Sequence, residues 1–146
     1  MTQDNLSVQK VSNPSDLEKV FAIRKKVFVE EQNCPPELEW EFEDESVHFM
    51  GSINDVPAGA SRWRLTEKGF KLERFAVLKE FRGRGMGKAL VQSVLDDLPT
   101  DADYIYLNAQ LTAIGLYEKF GFVKEGPQFE EAGIQHFKMV LREKGL

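Results

Sequence analysis

Apolar and polar residues alternate from Leu6 to Val11, which predicts a short first strand. Asn13-Pro14-Ser15 comes next. Ser15-x-x-Glu18 has the form of a capping box, with proline in the first turn of the helix it opens. Leu17, Val20, Phe21, Val27 and Phe28 then recur at helical spacing and form the expected buried face, with Arg24, Lys25 and Lys26 mostly off it. The helix is expected to run to about Gln32, and Pro35-Pro36 stops it. Residues 33–46 follow as a loop. Val47 to Ile53 reads as a strand, Asn54-Asp55 as a turn, and Ala58 to Leu65 as the next strand. Lys68-Gly69 turns the chain into an alternating run, Lys71 to Leu78. Met86, Leu90, Val94 and Leu98 recur every four residues, as on one helix face, until Pro99 and Asp101 break the pattern. Tyr104 to Asn108 is a strand, and Thr112 to Phe120 a short helix ended by Gly121. Phe122 to Glu125 and Ile134 to Leu141 are closing strands, separated by a loop over 126–133. The order β-α-β-β-β-α-β-α-β-β predicts an α/β (α+β) fold: a mixed, mostly antiparallel sheet with helices on its faces.

Composition narrows the function. A chain of 146 residues is expected to form one domain over 1–146 with a proper core. A net charge of −5 excludes the global basic footprint of a nucleic-acid binder. The acidic excess hints instead at a cationic substrate such as an amine. No apolar run reaches the length of a membrane span, and the polar start, Met1 to Asn5, has no signal-peptide pattern. Cys34 has no second cysteine to pair with, which agrees with a reducing, cytoplasmic setting.

The positive charge that does exist is local. Arg82-Gly83-Arg84-Gly85-Met86-Gly87-Lys88 lies between the strand ending at Leu78 and the helix starting near Met86. A helix start exposes unpaired N–H groups and the positive end of the dipole. Glycines let a phosphate approach those amides, and Arg82, Arg84 and Lys88 add charge, so the segment suits a phosphorylated ligand. It is not a Walker A loop: Ala89 stands where the hydroxyl residue belongs, and Arg82 where the first glycine belongs. Nor is it a Rossmann fingerprint, because position 88 is lysine.

What fits is Arg-x-x-Gly-x-Gly at Arg82, Gly85 and Gly87, which resembles the pyrophosphate-binding motif of the GNAT acetyltransferases. The segment Phe75 to Gly87 resembles that family's fourth strand and phosphate loop, and Ala113 to Phe122 its later helix and strand. Val27 to Gln32, Ala109-Gln110 and Gly133 to His136 resemble the small bacterial ElaA/YjcF-like branch. The resemblance covers nearly the whole chain. It implies acetyl-CoA as co-substrate, no metal, and direct transfer of the acetyl group to a primary amine of a small-molecule acceptor. It places the backbone of Phe75, Ala76 and Val77 against pantetheine, and Arg82, Gly83, Arg84, Gly85, Met86, Gly87 and Lys88 around the pyrophosphate. It also puts Asn108, Gln110 and Tyr117 at the cofactor, with Tyr117 where relatives keep a general acid for the leaving thiolate. Two positions depart from the pattern: Gln110 stands where many relatives have asparagine, and Lys71 where many have glutamate.

With Lys71 unable to act as a carboxylate base, Glu73 is the candidate base, since on a strand it shares Lys71's face. A salt-bridged strand glutamate is the equal alternative. His48 and His136, the only histidines, are candidate substrate-site residues on strands. Arg62 is a third, suited to a substrate carboxylate or phosphate; Arg64 points the same way, and surface solvation fits at least one of them. Tyr117 can also be read as packed core between Leu116 and Phe120. Cys34 has no cationic neighbour in sequence and reads as incidental. Glu37, Glu39, Glu41, Glu43, Asp44 and Glu45 lack calcium-loop spacing; with Glu30 and Glu31 they form either an acidic rim for amines or a solvated loop. Two other classes stay open: a non-catalytic acyl-CoA-binding sensor, favoured by Lys71, and a peptide or protein N-acetyltransferase. A homodimer is left open too.

Overall fold

The structure is a computed structural model in which residues 4–34 and 45–142 are described. Its strands are β1 (Leu6–Lys10), β2 (Ser46–Ile53), β3 (Val56–Leu65), β4 (Phe70–Val77), β5 (Ile105–Gln110), β6 (Phe122–Lys124), β7 (Phe129–Glu131) and β8 (Ile134–Leu141). Its α-helices are α1 (Pro14–Arg24), α2 (Met86–Asp97) and α3 (Ile114–Glu118). The strands form one sheet in the order β1-β2-β3-β4-β5-β8-β6, with β7 paired to β8. Every pairing is antiparallel except β4 with β5, so the mixed, mostly antiparallel sheet read from the sequence is present.

Two apolar layers hold the helices to the sheet. On one face, Val20 and Ile23 of α1 pack with Val27, Phe28, Met50, Ala60 and Ala76. On the other, Val91 and Val94 of α2, Leu98 just past its end and Tyr117 of α3 pack with Phe49, Leu72, Leu107 and Met139. The approach of α2 is close enough that a Cβ on Gly51 would stand 2.3 Å from Met86 Sδ, so the helix rests on bare backbone there.

The first helix differs from expectation in three ways. Asn13, not Ser15, is the N-cap: its side-chain oxygen accepts from the Asp16 N–H at 2.8 Å. Proline is favoured at the first helical position, where its missing N–H would have no partner anyway, so Pro14 takes that position and the cap falls on the residue before it, serving the amide two residues beyond the proline. The α-helix also ends at Arg24 and widens into a π-helix over Lys25–Glu31. Arg24 is buried rather than off the packed face, at 1% exposure, with its guanidinium over the Phe21 ring. Pro35-Pro36 and most of the acidic loop lie outside the described residues.

Residues 126–133 are not all loop. β7 forms there, and Ala132 and Gly133, both at positive φ, make the two-residue turn into β8. Alanine rarely adopts that conformation, so the hairpin has only half its usual signature.

The feature that creates the site is a bulge. Ala76 lies opposite Ala60, yet Glu73 lies opposite Arg62, so β4 carries one extra residue against β3. Arg74, at φ +58°, sits in that slip. β4 and β5 are paired only from Phe70 to Leu72, opposite Ile105 to Leu107. Beyond Leu72 the two strands separate.

Candidate active site

Beyond β4 a short 3-10 turn, Lys79–Phe81, leads into the glycine-rich loop. Gly83 and Gly85 have φ of +79° and +90°, a region that glycine occupies without strain. Gly85 is the N-cap of α2; no side chain caps it, and the first turn holds no acidic residue. The leading amides of α2 are thus free of any side-chain cap at the positive end of the dipole, which is the donor set an anion needs. They border a cleft of about 600 Å3 lined by Phe75, Ala76, Val77, Arg82, Gly83, Gly85, Met86 and Gly87, with Gln32 and Leu116 opposite.

The three cations of the loop are not equivalent. Arg82 donates two hydrogen bonds to the Glu31 carboxylate, at 2.7 and 2.8 Å, and its Nε donates to the Val77 carbonyl at 2.9 Å. The hydrogen bond from Arg82 holds the Glu31 carboxyl below the usual carboxylate range. Arg82 therefore ties the loop to the π-helical end of the first helix. Arg84 lies over the Phe81 ring and 3.8 Å from Asp4, and Lys88 is exposed. Arg84 and Lys88 are not among the lining residues of the cleft.

A second, smaller cavity of about 120 Å3 occupies the gap between β4 and β5. It shares Phe75, Gln32 and Ala113 with the first, so the two adjoin. Lys71, Glu73 and Arg74 line it from β4, Asn108 and Gln110 from β5, Tyr117 from α3, and Glu131 and His136 from the β7–β8 hairpin. The Gln110 amide donates to Gln32 Oε1 at 3.0 Å, bridging strand and helix. Asn108 donates to Glu131 at 3.4 Å.

Glu73 sits among three cations. Its Oε1 accepts from Arg62, at 3.1 Å, and from Arg64, and its Oε2 lies 3.6 Å from Lys71 Nζ. Burial opposes ionisation of the carboxyl, but Arg62, Lys71 and the bond from Arg64 outweigh it and hold it below the usual carboxylate range. A carboxylate so stabilised is a poor proton acceptor. Tyr117 is buried against Phe75 and Phe122, and burial pushes its phenol up from its ordinary value. It stays neutral and keeps a proton to give. His136 is also buried: its ring stacks on Phe129, and its Nδ1 lies 2.7 Å from the Ile134 carbonyl.

The family model of the GNAT acetyltransferase domain matches residues 6–143. The chain belongs to the GNAT acetyltransferase family. It is 39% identical over 132 residues to the uncharacterized N-acetyltransferase YjcF of Bacillus subtilis, covering 88% of this chain and 94% of that one. The crystal structure of Escherichia coli ElaA superposes with a TM-score of 0.81 at 25% identity, over 94% of this chain and all of the other. An acyl-CoA N-acyltransferase from Pseudomonas aeruginosa shares the fold, with a TM-score of 0.81 at 24% identity over 96% of this chain. The GNAT chain is thus an acyltransferase of the YjcF- and ElaA-like branch. Its family acts on amine acceptors.

In this GNAT site the structure brings together Phe75, Ala76, Val77, Arg82, Gly83, Gly85, Met86 and Gly87 at one cavity, and Glu73, Asn108, Gln110, Tyr117 and His136 at the other. It does not bring His48 or Arg62 to either. Arg62 is fully buried beside Glu73, and His48 lies next to it across β2 and β3, edge-on to Phe21. Their strand positions were legible, but not the helix that covers them. Gln32, Arg74 and Glu131 line the site unforeseen. Each is placed by an irregularity without a sequence signal: the π-helical end, the β4 bulge and the alanine-containing turn.

Proposed function

We propose that this protein transfers the acetyl group of acetyl-CoA directly to the primary amine of a small-molecule acceptor. The observation that carries the reading is that the two cavities adjoin. The uncapped start of α2 borders one, Tyr117 and His136 in the gap of the sheet line the other, and Phe75 lies between them as a lining residue of both. Diphosphate is the chemistry that start accepts, and the β5-facing edge of β4 beyond Leu72 has no strand partner among the described residues. An extended amide-bearing arm fits against that edge, with a β4 main-chain N–H left to polarise a thioester carbonyl. Gly83, Gly85, Met86 and Gly87 take the pyrophosphate through backbone, while Arg82, Arg84 and Lys88 supply field around it. An inner chamber of about 120 Å3 has room for a two-carbon acyl group beside an amine, and not for a long acyl chain.

Tyr117 is the acid in this reading. Burial forbids a lasting tyrosinate, so the phenol passes its proton to the departing thiolate while the nitrogen that has just formed the amide replaces it. Glu73 keeps Arg62, Arg64 and Lys71 in place and takes no proton. The sensor alternative draws on Lys71, but a chamber holding both a neutral phenol and an imidazole is equipped for turnover.

The test is a thermal shift with acetyl-CoA, followed by thiol release with diamines, amino sugars and amino-acid amides. Ligand at a hundred times its dissociation constant adds about 2.7 kcal/mol of stability, a rise of several degrees. No rise would defeat the phosphate-loop assignment. A rise with no thiol release above solvent hydrolysis would make the protein a sensor.

A further inference from the structure

His136 differs from every other titratable group in the inner chamber in one respect: its tautomer is fixed by backbone. Nδ1 lies 2.7 Å from the carbonyl oxygen of Ile134. A carbonyl oxygen only accepts, so Nδ1 carries the ring proton. In the neutral ring the lone pair then belongs to Nε2. The Phe129 ring stacks on the imidazole at 5.7 Å and 21°, which fixes its plane. Both holds come from the hydrogen-bonded strands of the β7–β8 hairpin, where Phe129 lies opposite His136.

The competing groups are less suited. Glu73 is held ionised by Arg62, Arg64 and Lys71. Lys71 and Arg74 are cations and offer no lone pair at neutral pH. Tyr117 is needed as a proton donor. Glu131 is exposed and accepts from Asn108, so it is a solvated carboxylate. On its own strand His136 has Lys138 two residues on, which pairs with Glu125 away from the chamber. The other histidine, His48, lies outside the cavity.

We infer that His136 is the base of the transfer, its Nε2 taking the proton from the acceptor's ammonium group before attack. The inference rests on the acetyl-transfer reading above. The ammonium loses one proton to Nε2, and the free amine nitrogen forms its bond to the thioester carbonyl carbon. The C–S bond breaks, the thiolate takes the Tyr117 proton, and the nitrogen's second proton restores the phenol. One proton remains on His136 and leaves to solvent, so the transfer balances as one proton released per turnover.

The test compares His136→Gln and Glu131→Gln with wild type. Thiol release is followed against pH with putrescine and glucosamine, which are protonated amines, and with hydroxylamine, which is neutral at pH 7 and needs no base. His136→Gln should lose about 10²–10⁴-fold in kcat with the alkylamines, together with the acid limb of its pH–rate profile. It should keep the wild-type thermal shift with acetyl-CoA and stay within a few fold with hydroxylamine. Wild-type turnover left unchanged by His136→Gln overturns the inference alone, and a loss seen only with Glu131→Gln moves the role there. Equal losses for hydroxylamine and the alkylamines also overturn it, because they mean damage to the site. No wild-type turnover at all defeats the transfer reading, and the base with it. An independent readout on the unmutated protein is the nitrogen-15 spectrum of its histidines. The Nδ1–H tautomer is expected for His136, and an Nε2–H tautomer would overturn the assignment.

Discussion

Replacing Glu73 with glutamine separates a structural anion from a base. The side chain keeps its size and can still accept a hydrogen bond, but the charge facing Arg62, Arg64 and Lys71 is gone. Arg62 has no exposed side-chain surface and Glu73 only 10%, so water replaces little of what is lost. Removing one partner of a buried ion pair costs about 3–5 kcal/mol. Glutamine's remaining acceptor oxygen puts the expectation at about 3 kcal/mol, a fall in Tm of about 10 °C for a chain of this size. The folded carboxyl lies below its usual value, so its contribution is complete above about pH 4.3, the ordinary glutamate value. It is lost as pH falls through the lower folded-state value. Wild type and Glu73→Gln should therefore differ fully at pH 7 and converge in acid. Urea unfolding at pH 7 and at pH 3 measures both. A variant within 1 kcal/mol of wild type at pH 7, or a gap that does not narrow in acid, would refute the reasoning. A variant that folds normally but loses the acid limb of its rate profile would return the base to Glu73.

Three further outcomes are expected. Gly87→Leu should stay within about 1 kcal/mol of wild type, because a Cβ there meets only Leu116 Cδ2 at an ordinary 3.5 Å, yet it should abolish the acetyl-CoA thermal shift by filling the cleft. Tyr117→Phe should lower kcat by about 10²–10⁴ with cofactor affinity little changed; a neutral effect on rate would make the ring core only. Asn13→Ala should cost about 1 kcal/mol in urea unfolding, and Ser15→Ala nearly nothing, since Asn13 holds the cap.

Much of the fold was readable because its signals are local. Alternation marked the long strands, a four-residue spacing marked α2, and Asn54-Asp55, both at positive φ, marked the β2–β3 turn. The glycine-rich turn into an uncapped helix start was readable for the same reason. The role proposed for it lies in backbone amides and in residues that keep side chains out of the way, and both are properties of seven consecutive positions. Arg82 is the exception within it. Its charge was visible, but not the Glu31 carboxylate that holds it from fifty-one residues away.

The proton chemistry was poorly readable because it depends on register between distant strands. Glu73 looks like a base as long as its neighbours are only Leu72 and Arg74. It becomes a charge anchor when pairing lays Arg62 across from it and Arg64 across from Lys71. His136 looks like one strand histidine among two until the β7–β8 turn lets its ring reach the Ile134 carbonyl and the Phe129 face. Even the chamber in which they meet depends on one residue, Arg74, whose positive φ shifts β4 away from β5. An arginine gives no warning of a bulge, since its side chain has no preference for that conformation. The proposed cofactor end of this site is therefore written in composition and spacing. The surroundings that separate the proposed base from a charge anchor follow only once a backbone irregularity has opened the sheet and the strands have chosen their register.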